Sequence, residues 1–166
     1  MGARSLGLPL WHPAALLATW FGVGLLPISP GSWASLLALP IAWTIVWLLG
    51  DAGLGVAAGL AFAVGWWAAA TVARASGTND PAAIVIDEVA GQWLVLVRAP
   101  LDPLAYAFAF LLFRIFDIWK PWLARWADRE VKGGLGIMLD DLLAAIYAAV
   151  LLWGLLTIGG LSGVRA

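Results

Sequence analysis

The chain contains no cysteine, which excludes disulfides, thiolate metal sites and cysteine nucleophiles by inventory. It has one histidine, His12, far upstream of the acidic residues, so a histidine nucleophile or a histidine-rich metal centre would have to be built from that residue alone. Charge is scarce: 11% of the 166 residues are charged, and the net charge is -1. That balance offers no basic field for nucleic acid, and no basic amphipathic arm is present. There is no internal repeat and no low-complexity tail, so residues 1–166 read as a single domain.

What the chain has instead is apolar surface. With 63% hydrophobic residues and a mean hydropathy of +0.95, a protein of this size cannot hide that surface inside a water-soluble globule. Five stretches are long enough to cross or enter a bilayer: residues 33–50, 52–73, 83–99, 104–116 and 142–161. The third and fourth are short and carry ionisable groups, and they read as partly buried helices. The expectation is a polytopic bundle of about four to five transmembrane or partly buried helices. Twelve Trp fit interfacial anchoring and helix packing. Near the start, Arg4 and the apolar run 14–26 precede no small-x-small cleavage pattern, so this segment is expected to be interfacial or re-entrant rather than a removed leader. Position six is Leu, which does not indicate myristoylation.

Gly50-Asp51-Ala52 joins the first two stretches into a tight helical hairpin, and the Gly- and Pro-containing linker 76–81 ends its second arm. A second hairpin turns at Pro100-Leu101-Asp102-Pro103 and returns the chain to the side it left. On this topology Arg74, Arg114, Lys120, Arg125, Arg129 and Lys132 share one side, against Arg98 and Arg165 on the other. The positive-inside rule makes the first side cytoplasmic.

Nine of the ten acidic residues fall between Asp80 and Asp141, and carboxylates among apolar segments are expensive to bury. The topology brings Glu88, Asp117 and Asp140-Asp141 to one depth from three separate segments. Asp87 and Glu88 are adjacent in an apolar helix and point about 100° apart, so one can face a metal while the other meets a base or a water. Oxygen ligands without Cys or nearby His select Mg²⁺ or Mn²⁺ over Zn²⁺; the plainer alternative is an ion pair with Arg114 or Lys120. Arg114, Asp117 and Lys120 are spaced i, i+3, i+6 on a helix that Pro121 disturbs. They can place Asp117 on a metal with Arg114 and Lys120 on phosphate oxygens, or form an interfacial ion ladder. Gly133, Gly134 and Gly136 let backbone approach a ligand at the start of a helix, and Asp140-Asp141 there can cap the helix, bind metal, or both. Ser29 and Ser32 can contact a head group, with capping the favoured use of Ser32.

Three co-linear strings, Asp80-Pro81 through Ile84-Val-Ile-Asp-Glu-Val-Ala-Gly91, Phe113-Arg-Ile-Phe-Asp-Ile-Trp-Lys-Pro121 and Gly133-Gly-Leu-Gly-Ile-Met-Leu-Asp-Asp141, resemble the phosphatidylglycerophosphatase A family. Pro30-Gly31-Ser32-Trp33 resembles its upstream signature, with Ser32 where the family commonly has Thr and Ala145 where it commonly has Gly. The resemblance implies an all-α fold and a Mg²⁺-dependent phosphatase of the bacterial inner membrane. Its substrate would be phosphatidylglycerophosphate, converted to phosphatidylglycerol and phosphate.

The inventory adds a mechanism. Without Cys, a second His or an Asp-x-Asp pair, the usual phosphoenzyme routes lack nucleophiles, and attack by metal-activated water remains. Asp87, Glu88, Asp117, Asp140 and Asp141 are the expected ligands, Asp80 is a candidate general base, and Arg114 and Lys120 would offset phosphoryl charge. Two rivals share some of these features. A phospholipid-forming transferase would need an Asp-Gly-x-x-Ala-Arg signature, which is absent. A small cation channel or transporter would also bury carboxylates, but Arg114, Lys120 and the glycine loop favour an anionic ligand such as the phosphate of this or another lipid.

Overall fold

A computed structural model describes residues 6–158, all helix and connecting turns, with no strand among them. A short helix α1 (Pro13–Ala18) and a 3-10 turn precede the long helix α2 (Pro30–Ser76). Then come α3 (Ile86–Leu96), α4 (Pro103–Trp119), α5 (Trp122–Glu130) and α6 (Gly133–Ile158). Helix α2 is two arms broken at Gly50, whose φ of 70° and ψ of -175° are non-helical and suit a residue without Cβ. The arms run antiparallel. Near the start of the first arm, a Cβ at Gly31 would meet Glu88 of α3, and the Trp93 indole N–H donates to Ala38 O at 3.0 Å. In the second arm Gly65 faces Ile86, while Gly55 faces Val97. Helix α3 therefore runs parallel to the first arm and antiparallel to the second, and the expected hairpin is present.

The second hairpin is present too. Asp102 caps α4 by accepting the Ala105 N–H at 2.9 Å, and Phe113 then packs against Gly91 and Asp141 beside it. At 11 residues, α3 rises only about 16 Å, half of a bilayer core. It is a buried, non-spanning helix. By length and composition, α2 and α6 are the described helices suited to cross a membrane. Their lipid-like exterior is plain: Val56, Leu60, Val64 and Trp67 stand exposed along the second arm, while Ala58, Ala68, Ala69 and Val72 are buried. Small residues on the inner faces let these helices approach closely. Gly134 shows how closely, since a Cβ there would strike Trp66 O and the Ala70 backbone.

Two expectations are corrected. Helix α6 begins at Gly133, nine residues earlier than the expected stretch 142–161, so Asp140 and Asp141 lie two turns inside it and do not cap it. Residues 159–161, Arg4 and Arg165 fall outside the described residues. Ser32 is not a cap: Ser29 occupies that position and Pro30 the first helical one, where a missing N–H costs nothing. The run 14–26 forms α1 and the 3-10 turn, packed against α2, with Val85 N–H bonded to Ala18 O at 2.8 Å. His12 is spent locally, its Nδ1 accepting the Ala14 N–H at 3.2 Å.

Candidate active site

At the end of the bundle where α3 and α6 begin and α4 finishes, a cavity of about 220 Å³ opens. Each wall arrives for a local reason. The linker ending at Pro81 and the bond from Val85 to Ala18 fix the entry to α3, so Asp87 and Glu88 occupy its first turn, where carboxylates suit the positive helix end. Lys120 sits just beyond α4 in a left-handed conformation (φ 48°); the following Pro121 disfavours helical backbone there, and the turn swings the ammonium inward. Helix α6 contributes Gly133, Gly136, Asp140 and Asp141 to the wall.

One oxygen each from Asp87, Glu88 and Asp141 lies within 4.8 Å of the others. Asp87 Oδ1, Glu88 Oε2, Asp140 Oδ1 and Asp141 Oδ2 are buried without a hydrogen-bond partner in the protein. Buried carboxylate oxygens left this way are costly, and a hard divalent cation with oxygen preference would satisfy them. The donor set fits Mg²⁺.

The other two expected ligands are engaged differently. Asp117 Oδ2 is 2.5 Å from Arg114 Nη1, which also lies 3.9 Å from Glu88 Oε1. Asp140 Oδ2 accepts from Lys120 Nζ at 2.5 Å, and Asp128 Oδ1 accepts from the same ammonium at 2.6 Å. The expected ladder is thus half-formed, because Lys120 leaves the helix and turns to Asp128 and Asp140. Arg114 is not on the cavity wall; it braces Glu88 and Asp117 from outside it. Burial opposes the Lys120 charge, yet its bonds to Asp128 and Asp140 outweigh that and raise its pKa above the ordinary lysine value. Lys120 stays cationic.

Asp80 is exposed as a whole residue, but its carboxyl faces the cavity from the rim. Partial desolvation there raises its pKa, with nearby Lys120 lowering it and Asp128 raising it. Of the glycine run, Gly133 (φ 72°) lines the cavity, whereas Gly134 serves contact with the second arm of α2. Ser32 lies in the first turn of α2, off the wall. Sequence reasoning missed Asp128, Asn79 and Lys132, which line the cavity. Asp128 is eight residues from Lys120, across a proline turn, where no helical spacing signals contact. Gly31 of the Pro30-Gly31-Ser32-Trp33 string also bears on the site, since Glu88 occupies the space its Cβ would take.

The cavity wall carries seven acidic side chains against two lysines. Such a site attracts cations strongly and repels a bare phosphate. With cations in place, it can receive one.

A profile of the family described as phosphatidylglycerophosphatase A matches residues 16–156. A protein of Escherichia coli named phosphatidylglycerophosphatase A is 40% identical over 144 residues, covering 86% of this chain and 81% of its own length. A Haemophilus influenzae protein of the same name is 37% identical over 147 residues, covering 88% and 90%. A Bacteroides thetaiotaomicron protein, provisionally named a phosphatidylinositol-3-phosphatase, is 39% identical over 145 residues, covering 82% and 89%. No solved structure matches.

Proposed function

Since this chain belongs to the phosphatidylglycerophosphatase A family, we propose that it hydrolyses phosphatidylglycerophosphate to phosphatidylglycerol and inorganic phosphate in the acidic cavity, with Mg²⁺. The observation that carries the reading is the convergence of Asp87, Glu88 and Asp141 within 4.8 Å, beside a lysine that faces the same cavity. Asp87, Glu88 and Asp141 would hold the ion, with Asp140 and Asp117 adding negative charge to the same wall. Bound there, Mg²⁺ supplies positive charge for the phosphoryl oxygens and acidifies a water.

The chain's own groups do the rest. Lys120, held by Asp128 and Asp140, keeps its ammonium at the wall and offsets charge on the transferring phosphoryl group. Arg114 fixes the carboxylates of Glu88 and Asp117 through its guanidinium, an arrangement in which a planar fork outperforms a point charge. Asp80, its pKa raised by partial burial, accepts the proton of the attacking water as the new bond to phosphorus forms. The bond from phosphorus to the glycerol oxygen breaks, and that oxygen is protonated by solvent at the cavity mouth.

On this reading the chain is a multi-pass protein of the bacterial inner membrane with its site facing the cytoplasm. The base-rich side argued from the sequence supports this, as does α5 there, which exposes Trp122, Leu123 and Trp126 and carries Arg125 and Arg129.

The test is phosphate release by purified protein in detergent. Release from phosphatidylglycerophosphate that depends on Mg²⁺ is expected; full activity in excess chelator overturns the mechanism. The Bacteroides relative supports a second reading, in which another lipid phosphate is the substrate. Preferential hydrolysis of phosphatidylinositol 3-phosphate in the same assay would favour it.

A further inference from the structure

A second opening, about 590 Å³ and almost wholly apolar, runs down the outside of α6, with Phe116 of α4 and Leu123 of α5 beside it. Phe116, Leu123, Leu143, Tyr147, Leu151 and Ile158 mark its course. It is continuous in register with the acidic cavity. On α6, Asp140 of the cavity and Leu143, Tyr147, Val150, Gly154 and Ile158 of the groove follow the three- and four-residue spacing of one helix face. On α4, Phe116 in the groove adjoins Asp117 in the cavity. The apolar face thus starts one helical turn from the polar cavity on α6 and at the adjoining residue on α4.

The neighbouring site selects the groove's occupant. From Leu143 to Ile158 the helix rises roughly 22 Å, most of a hydrocarbon core of about 30 Å. An apolar face of that length, starting beside a cavity that takes a lipid's phosphate on the phosphatase reading, matches the hydrocarbon chain of the same lipid. Toward its far end, a Cβ built on Gly154 meets nothing within 4 Å, so the face is open there.

Resting on the phosphatase reading, we propose that this groove seats one acyl chain of the lipid whose phosphate enters the carboxylate cavity. Tails are already in an apolar medium within a bilayer, so the groove contributes packing and alignment rather than hydrophobic transfer. It fixes the depth and direction from which the head group meets Asp87, Glu88 and Asp141, and alignment of that kind is a recognised source of rate.

The experiment compares Gly154→Trp with wild type on long-chain and dihexanoyl phosphatidylglycerophosphate in detergent. Val56→Trp, on the exposed face of α2, is the control. An indole in the groove displaces roughly ten carbon contacts of a seated chain, so the ratio of long-chain to short-chain kcat/KM should fall about tenfold. Val56→Trp should leave the ratio unchanged. An unchanged ratio in Gly154→Trp overturns the groove while leaving the phosphatase standing. So does loss of a dimer on sizing without a change in ratio, which would assign the groove to a second copy. If wild type hydrolyses neither lipid, the phosphatase reading fails by itself. The groove is then read by a phosphatidylglycerol with a diazirine at its chain end: labelling of residues 143–158 that Gly154→Trp abolishes supports it, and labelling spread evenly over α2 and α6 overturns it.

Discussion

Gly31→Ala isolates the placement of one carboxylate. Gly31 lies in the first turn of α2, and a Cβ built there would overlap Glu88 Oε1 and stand 2.7 Å from Glu88 Cδ. Carbon atoms in contact settle at about 3.5–4.0 Å, so the carboxylate must withdraw by roughly 1 Å. A displacement of that size at a reacting centre costs on the order of 100-fold in rate, or about 2.7 kcal/mol in the barrier. The fold should not suffer, since Ala replaces Gly in a helix with a gain of roughly 0.5–1 kcal/mol. The assay is kcat/KM for phosphate release, read beside the thermal midpoint of the same preparation. In a Glu88→Gln background the added Ala should cost much less, because both changes act through the same carboxylate. Activity of Gly31→Ala within about threefold of wild type, at normal stability, would refute the idea that Glu88 must sit where the structure puts it. The glycine of the Pro30-Gly31-Ser32 signature is there, on this argument, to leave room for an acid 57 positions later.

Asp87→Asn and Asp141→Asn should each lower Mg²⁺-dependent turnover by orders of magnitude with the helical content retained, and near-normal activity in either would remove that residue from the ligand set. The raised pKa of Asp80 means its basic form is reached only above the usual carboxylate range. Turnover should therefore rise with pH through that higher value, and Asp80→Asn should abolish this limb. Because a folded-state pKa raised by burial favours the protonated form, Asp80 also contributes stability at low pH that is lost as pH rises through its folded value; an opposite trend in melting, reversed by Asp80→Asn, would contradict the placement. Asp128→Asn removes one of the two partners of Lys120 and should raise KM several-fold with little change in stability, as an exposed pair contributes little. Single cysteines placed at positions 129 and 165 of this cysteine-free chain should label from the cytoplasm and the periplasm respectively; labelling of position 129 from outside overturns the orientation.

The helical hairpins and the convergence of acids were legible because both follow from local signals. Gly50 and the Pro100–Pro103 turn interrupt apolar runs, and a chain that returns to its starting side must bring Glu88 near Asp117. The start of α6 was not legible, since Gly133, Gly134 and Gly136 read as loop by propensity. The lack of side chains at Gly134 and Gly136 is what lets this helix touch the backbone of α2 and of Val131, so packing overrides propensity there. The partition of the five acids into three that converge and two held by Arg114 and Lys120 was hidden for a different reason. It depends on the left-handed turn at Lys120, which redirects the ammonium toward Asp128 and Asp140. No periodicity encodes that.

The excess of seven acids over two lysines on the cavity wall also constrains the order of events. A phosphate monoester dianion brought to such a wall meets net repulsion that Lys120, shared with Asp128 and Asp140, does not outweigh by itself. Opposite charge must arrive first. If the proposed cation does this, removing it should weaken binding of the lipid phosphate as well as its turnover, whereas phosphatidylglycerol, which lacks the terminal phosphate, should bind nearly independently of Mg²⁺. Equal affinity for the phosphorylated lipid with and without Mg²⁺ would mean that some other group screens the acids, and Arg114, now spent on Glu88 and Asp117, would be the first to test by Arg114→Lys. The same electrostatics gives the product a way out: inorganic phosphate is not tethered by acyl chains, so it has nothing but the cation and Lys120 to hold it against the carboxylates.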